Sequence, residues 1–289
     1  MERARKDYTD FADFCFKTFG DRVKHWFTFN EPRNTAGLGY DTGFFPPTRC
    51  SYGNCTAGNS ATEPYIVTHN ILLSHANAVQ IYRHKYQGTQ KGRIGIILDF
   101  NWYEALTNSM ADELASQRAR DFYVGWYLHP ITYGKYPATM QENVKNRLPK
   151  FTEQEVKMVK GSMDFLGINQ YTAYYVRDDQ KPPKVISYQN DWKAEIVCMD
   201  DAGNVTFPKA LHDTLRINYY KGYLKNLKRA IHEGAKVTGY FAWSLLDNFE
   251  WRSGYTSRFG IIYVDFKDLT RYPKMSAYWF RTLLTRKKP

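Results

Sequence analysis

The residues best suited to chemistry fall in two places. The first is His25-Trp26-Phe27-Thr28-Phe29-Asn30-Glu31-Pro32. Its first five residues are aromatic, bulky or β-branched, which is strand composition, and Pro32 cannot donate a hydrogen bond to continue a ladder. The Glu31 carboxylate is thereby set at the C-terminal tip of a strand, beside the Asn30 amide. In parallel α/β folds ligands bind at that tip, although a Glu after a strand, taken alone, more often opens a solvent-facing loop. The second place is Trp243-Ser244-Leu245-Leu246-Asp247-Asn248-Phe249-Glu250-Trp251. Its alternation of Asp247, Asn248 and Glu250 with Trp and Phe suits a polyhydroxylated ring with polar edges and apolar faces. Without further context, an aromatic-rich run of this kind is more often core.

Four segments that must position these residues share one grammar: an amphipathic helix, a glycine, then a strand ending in polar or aromatic residues. In the first, Phe11, Phe14, Cys15 and Phe19 recur at helical spacing, Gly20 caps the helix, and residues 23–29 form the strand. A long loop rich in Gly, Pro and Asn follows over 33–61, a length that is usually functional. The second unit has Pro64 in its first helical turn and a strand over 95–100 that ends at Asn101-Trp102. Another helix is expected over 111–127. The third unit opens with the capping box Thr152-x-x-Glu155 and has its strand over 164–171. The fourth has a helix over 213–232, Gly234, and a strand over 237–244. Repeated helix–strand units with buried strands imply an α/β fold with a parallel sheet. A dinucleotide-binding fold is the generic rival, but no G-x-G-x-x-G follows any strand. A (β/α)8 barrel suits the ligand-bearing strand tips better, yet it needs eight strands and four are legible.

At 289 residues, 43% hydrophobic and 17% aromatic, the chain is read as one domain over 1–289 with a substantial core. The net charge of +11 raises the question of nucleic acid. The basic residues are scattered, though, as with Lys221, Lys225, Lys228 and Arg229 on one helical face, and a solvated face accounts for them better than a phosphate-tracking groove. No apolar run approaches the length of a membrane span. The N-terminal residues contain no apolar stretch of the kind found in secretory signals. Asn54-Cys55-Thr56 and Asn204-Val205-Thr206 are nevertheless glycosylation sequons. Cys50 and Cys55 lie close enough to pair, and no second ligand set nearby supports zinc.

Three stretches together carry a family resemblance. His25 to Pro32 contains the T-F/L-N-E-P signature; Gly167-Ile168-Asn169-Gln170-Tyr171-Thr172 is similar to a tyrosine-bearing strand; and Trp243 to Trp251, with Gly254-Tyr255 and Arg258-Phe259-Gly260, is similar to a glucose-binding segment. With Cys50 to Ser60 and Met199 to Asp213, the chain resembles the retaining β-glycosidases of glycoside hydrolase family one, plant β-glucosidases in particular. The resemblance implies the TIM-barrel fold and a reaction between two carboxyl groups about 5–5.5 Å apart. It makes Glu31 the acid/base and Asn30 the partner of the sugar 2-hydroxyl. Tyr171 would orient the nucleophile, and Trp243 would offer a flat face to the sugar. Glu250 and Trp251 would hold the outer hydroxyls, Phe259 would line the pocket, and Trp102 would line the aglycone side. It also implies a small Cys50–Cys55 disulfide, free thiols being the alternative. Glycans on Asn54 and Asn204 would go with a secretory, extracellular or vacuolar setting. The implied partner is a β-glucoside or glucose, with no cofactor, metal, nucleic acid or membrane.

One family motif, [IV]-x-E-N-G on the seventh strand, is absent. Registered on Met199, the family's nucleophilic Glu falls on Ile196, and Glu195 is one residue away, pointing to the opposite face of any strand there. The expectation is an incomplete barrel, short of about half its strands. It would lack the family's signal peptide and first three strands as well as the nucleophile segment, with little or no activity. The alternatives are a catalytically dead sugar-binding protein and a non-functional truncated product.

Overall fold

In the computed structural model, which describes residues 2–197 and 207–285, the chain opens with helix α1 (Glu2–Phe19), leading into strand β1 (His25–Asn30). The face that α1 buries is not the one its phenylalanine spacing indicates. Ala12 and Phe16 are buried, with Tyr8 packed beside them, whereas Phe11 and Phe14 are each about 60% exposed. Positions 8, 12 and 16 lie on one helical stripe, and that stripe meets helix α2 (Glu63–Ile81) and β1.

A short helix α3 (Gln87–Gln90) then leads into β2 (Arg93–Asp99), whose Ile94, Ile96 and Leu98 are fully buried. Strand β3 (Trp102–Ala105) follows at once. Ser109 caps helix α4 (Met110–Arg120) by accepting from the Asp112 N–H. A π-turn over Asp121–Gly125 joins α4 to α5 (Trp126–Tyr133), so the helix expected over 111–127 exists and runs a turn and a half further. Helix α6 (Ala138–Val144) precedes α7 (Glu153–Val159), where both arms of the Thr152/Glu155 capping box are made. Strands β4 (Phe165–Asn169), β5 (Ala173–Asp178) and β6 (Ala194–Val197) complete the first of two compact units, residues 1–200.

In this unit β1, β2 and β4 form a parallel sheet in that order. Gly95 faces Phe165 in the β2–β4 ladder, where a Cβ would stand 2.0 Å from the Phe165 carbonyl oxygen, so only glycine permits that approach. The strands then change sheets: β2 continues into β3 and β4 into β5, which pair in parallel, and β6 adds antiparallel to β5. The core lies between the first sheet and helices α2, α4 and α5, around Trp126, Tyr65, Tyr127, Phe122, Leu72 and Leu73. Burying each Leu or Phe of this set contributes roughly 1.5–3 kcal/mol.

The second unit, residues 201–289, contains α8 (Thr214–His232), the antiparallel pair β7 (Ile262–Val264) and β8 (Arg271–Pro273), and α9 (Met275–Thr285). Tyr220 of α8 packs on Trp279 and Phe280 of α9. The strand expected over 237–244 does not form. Residues 231–241 are exposed throughout, and Phe241 is 93% exposed. A strand exists only as one side of a ladder, and here only the last residue is paired: the Ser244 N–H donates to the Phe259 carbonyl at 3.0 Å and its carbonyl accepts from the Ile261 N–H at 2.8 Å. Three of the four expected strands are therefore present, and the fold is an incomplete member of the TIM-barrel class.

Candidate active site

Each strand of the parallel sheet ends on a polar residue after an apolar run: Asn30 on β1, Asp99 on β2 and Asn169 on β4. Glu31 follows Asn30 directly. Its φ of 50° places it in the left-handed region that a side chain rarely occupies, at a cost of order 1–3 kcal/mol. Two backbone hydrogen bonds hold it there, Glu31 N–H to the Ile97 carbonyl at 3.0 Å and Asn34 N–H to the Glu31 carbonyl at 2.9 Å.

Both carboxylate oxygens of Glu31 accept amide hydrogen bonds. Asn169 Nδ2 donates to Oε1 at 2.7 Å and to Asn30 Oδ1 at 3.1 Å, and Asn34 Nδ2 donates to Oε2 at 2.7 Å. Behind them Arg33 donates through Nε to Asp99 Oδ2 at 2.7 Å. Its Nη2 donates to the Tyr123 hydroxyl at 2.8 Å and to Asn34 Oδ1 at 2.7 Å. Asn101 Nδ2 also donates to that hydroxyl, at 3.0 Å. Burial opposes the Arg33 charge, yet the Asp99 carboxylate and the surrounding tyrosine oxygens raise its pKa well above the usual arginine value. Burial likewise pushes the Tyr123 hydroxyl far up, so it stays a neutral donor and acceptor.

Asn30 and Glu31 are thus brought together as expected. Tyr171 lies in the turn between β4 and β5, about half exposed. Trp102, also about half exposed, starts β3; its Nε1 donates to Glu104 at 2.6 Å and the Arg120 guanidinium lies 4.9 Å from its ring. Glu195, the carboxylate next to the position expected for a nucleophile, lies on β6 in the other sheet. It is held by Arg177 of β5 through two hydrogen bonds of 2.8 Å. The residues that sequence reading missed are Asn34, Asn169, Arg33, Asp99 and Tyr123. For Asn169 and Asp99 a signal existed, since both close an apolar strand as Asn30 does.

The loop from Cys50 to Cys55 is closed by a disulfide with a Cα–Cα distance of 5.5 Å, and Asn54 is exposed within it. Asn204 lies outside the described residues.

In the second unit Trp243, Trp251 and Phe259 are exposed at 53%, 71% and 46%, and Glu250 is partly exposed. A single 3-10 turn over Trp251–Ser253 carries Trp251, itself at φ 44°, and the Glu250 N–H donates to the Gly254 carbonyl at 2.6 Å. Asp247 and Asn248 do not face outward with them. Asp247 is buried, accepting from the Gly260 N–H at 2.9 Å, the Val264 N–H at 3.3 Å, Lys274 Nζ at 3.2 Å and Arg258 Nη1 at 3.2 Å. Asn248 turns back onto Ser244 and the Leu246 carbonyl. The alternation read as sugar-facing is therefore split: the aromatics and Glu250 stay available, while the two shorter residues build the loop.

The described geometry has close counterparts among known proteins. A solved rice β-glucosidase, Os3BGlu6, superposes with a TM-score of 0.92 at 40% identity, covering 98% of this chain and 71% of its own. A family 1 β-glucosidase from the fungus Humicola insolens, solved in complex with glucose, superposes with a TM-score of 0.90 at 35% identity, covering 97% and 69%. Beta-glucosidase 44 of Arabidopsis thaliana is 58% identical over 330 residues, covering 97% of this chain, which spans only 64% of that relative's length. That matched span is longer than all 289 residues here, so the relative carries residues inside it that have no counterpart in this chain. The family model described as Glycosyl hydrolase family 1 matches in two pieces, residues 2–202 and 197–289. The two pieces overlap over residues 197–202, and between them they account for nearly every residue: the chain belongs to glycosyl hydrolase family 1.

Proposed function

We propose that this chain carries the acid/base half of a retaining β-glucosidase site and turns over β-glucosides at no more than a trace of a complete enzyme's rate. The observation that carries this reading is the Glu31 carboxylate, fixed at a parallel strand tip by amide donors on both oxygens. There it protonates the leaving oxygen of an aryl or alkyl β-glucoside, with Asn30 hydrogen-bonding the 2-hydroxyl. Within the second unit, Trp243, Glu250, Trp251 and Phe259 are the sugar-binding residues of this reading. Tyr171 takes the place of the residue that orients a nucleophile. The covalent step itself lacks its agent, because the sequence contains no [IV]-x-E-N-G and Glu195 is committed to Arg177. Loss of one member of a catalytic unit removes most of the acceleration.

The test is release of a chromogenic phenol from aryl β-glucosides by the purified chain and by Glu31→Gln, with and without azide as an external nucleophile. Azide attacks the anomeric carbon as the phenolate leaves with a proton from Glu31. Trace release that azide raises, and that Glu31→Gln lowers, is the expected result. Fast release without azide that disappears in Glu31→Gln would mean another carboxylate attacks, and the reading would be wrong. The second reading, a sugar-binding protein without catalysis, is favoured by the exposure of Trp243 and Trp251 and corresponds to sugar affinity with no azide response.

A further inference from the structure

The side chain of Asn34 is wired to Glu31 with a fixed polarity. Its Oδ1 accepts from the Arg33 guanidinium at 2.7 Å, a group with donors only, so its Nδ2 is the end turned toward Glu31 Oε2, also at 2.7 Å. Reversing the amide would set N–H against guanidinium and oxygen against carboxylate, two repulsive contacts in place of two attractive ones. Arg33 cannot rotate to accommodate a reversal. Its Nε is engaged by Asp99 and its Nη2 also by Tyr123, and its guanidinium carbon lies 3.9 Å from the Tyr123 ring centre. The chain Asp99–Arg33–Asn34–Glu31 thus presents an N–H, and never an acceptor, to one oxygen of the acid/base.

We infer that Asn34 is a positioning residue for Glu31, selecting its side-chain orientation and favouring its ionised form through a donor whose direction Arg33 and Asp99 fix. The inference rests on the reading of Glu31 as acid/base, and it deepens that reading. A donor on a carboxylate stabilises the charged state relative to the neutral one. Asn34 therefore favours the form of Glu31 that takes a proton from water in the second half of a retaining cycle. It opposes the protonated form needed in the first half. In a site complete with its nucleophile, the π-turn that Asn34 begins would thereby set part of the balance between the two half-reactions.

The experiment reads the carboxyl 13C shift of Glu31 against pH in the full chain, assigned by its absence in Glu31→Gln, so no turnover is required. In Asn34→Val the Glu31 midpoint should rise by about one pH unit, a tenfold gain in proton affinity. In Asn34→Asp, which keeps the shape and the Arg33 contact, it should rise further, because a second carboxylate faces the first. A midpoint that stays put in folded Asn34→Asp overturns the inference, whether or not Asn34→Val folds. If the midpoints move as expected while phenol release ignores Glu31→Gln, Asn34 still positions Glu31 and it is the assignment of Glu31 as acid/base that fails.

Discussion

Asn169 joins the tip of β4 to Glu31, the residue just beyond β1, although β2 lies between those strands. Next-nearest strands in a flat sheet stand roughly 9.5 Å apart. The Asn and Glu side chains together bridge that gap, so their 2.7 Å contact ties the two strand tips across β2. Replacing Asn169 with Leu removes the donor from Glu31 Oε1 and from Asn30 together. We expect a loss of about 1–3 kcal/mol in the stability of the first unit, read as a lower urea midpoint with an unchanged slope. An unshifted midpoint would show that the first unit's stability does not depend on this contact.

Asp99→Asn should cost more. Arg33 and Asp99 have side-chain exposures of only 14% and 10%, and removing one partner leaves a buried, unpaired guanidinium. The expected penalty is about 3–5 kcal/mol, measured by chemical denaturation. A cost below about 1 kcal/mol would place the pair among exposed ones.

Two buried groups in the first unit should pull stability in opposite directions with pH. Burial pushes the Asp41 carboxyl up to about 7, despite hydrogen bonds such as that from the Gln189 N–H at 3.2 Å. Its contribution is full below the ordinary carboxylate range and is lost as pH rises through about 7. Burial lowers His75, whose Nδ1 lies 2.7 Å from Thr28 Oγ1, to about 4. Its contribution is full above its ordinary value and is lost as pH falls through about 4. Each is worth on the order of 3 kcal/mol. In Asp41→Asn stability should fall on acidification from pH 6.5 to 4, and in His75→Gln it should fall as pH rises over the same interval. Parallel slopes in the two variants would refute the assignment.

Sugar affinity should reside in the second unit's exposed aromatics. Glucose is expected to bind in the millimolar range or weaker, about 4 kcal/mol, followed by tryptophan fluorescence. Trp243→Ala and Glu250→Ala should each weaken it severalfold. Micromolar binding, or indifference to both substitutions, would move the sugar site elsewhere.

Much of the first unit was legible because its strands are apolar runs closed by a polar residue, and its helices carry visible caps such as Thr152. Asn30 and Glu31 were legible for the same reason. Residues 237–244 have the composition of a strand, but composition supplies no partner. Phe11 and Phe14 have helical spacing, but the core took the neighbouring stripe through Ala12 and Phe16. Asp247 was indistinguishable from Glu250 in a polar–aromatic alternation, since only the fold decides which carboxylate turns inward. The Arg33–Asp99 link joins residues 66 apart, and nothing local to either predicts it.

The outer edge of β1 has a consequence for how the protein must be handled. Among the described residues β1 pairs with β2 alone, and Phe27 on it is 43% exposed. Tyr8 of α1 donates to the Thr28 carbonyl at 2.5 Å, and the rest of that edge is a template on which an extended segment can dock, including the same strand of another molecule. Self-association along β1 is therefore expected to rise with concentration, as light scattering over a dilution series would read. Because Glu31 directly follows β1, pairing along that edge would cover the site, and dilution would free it.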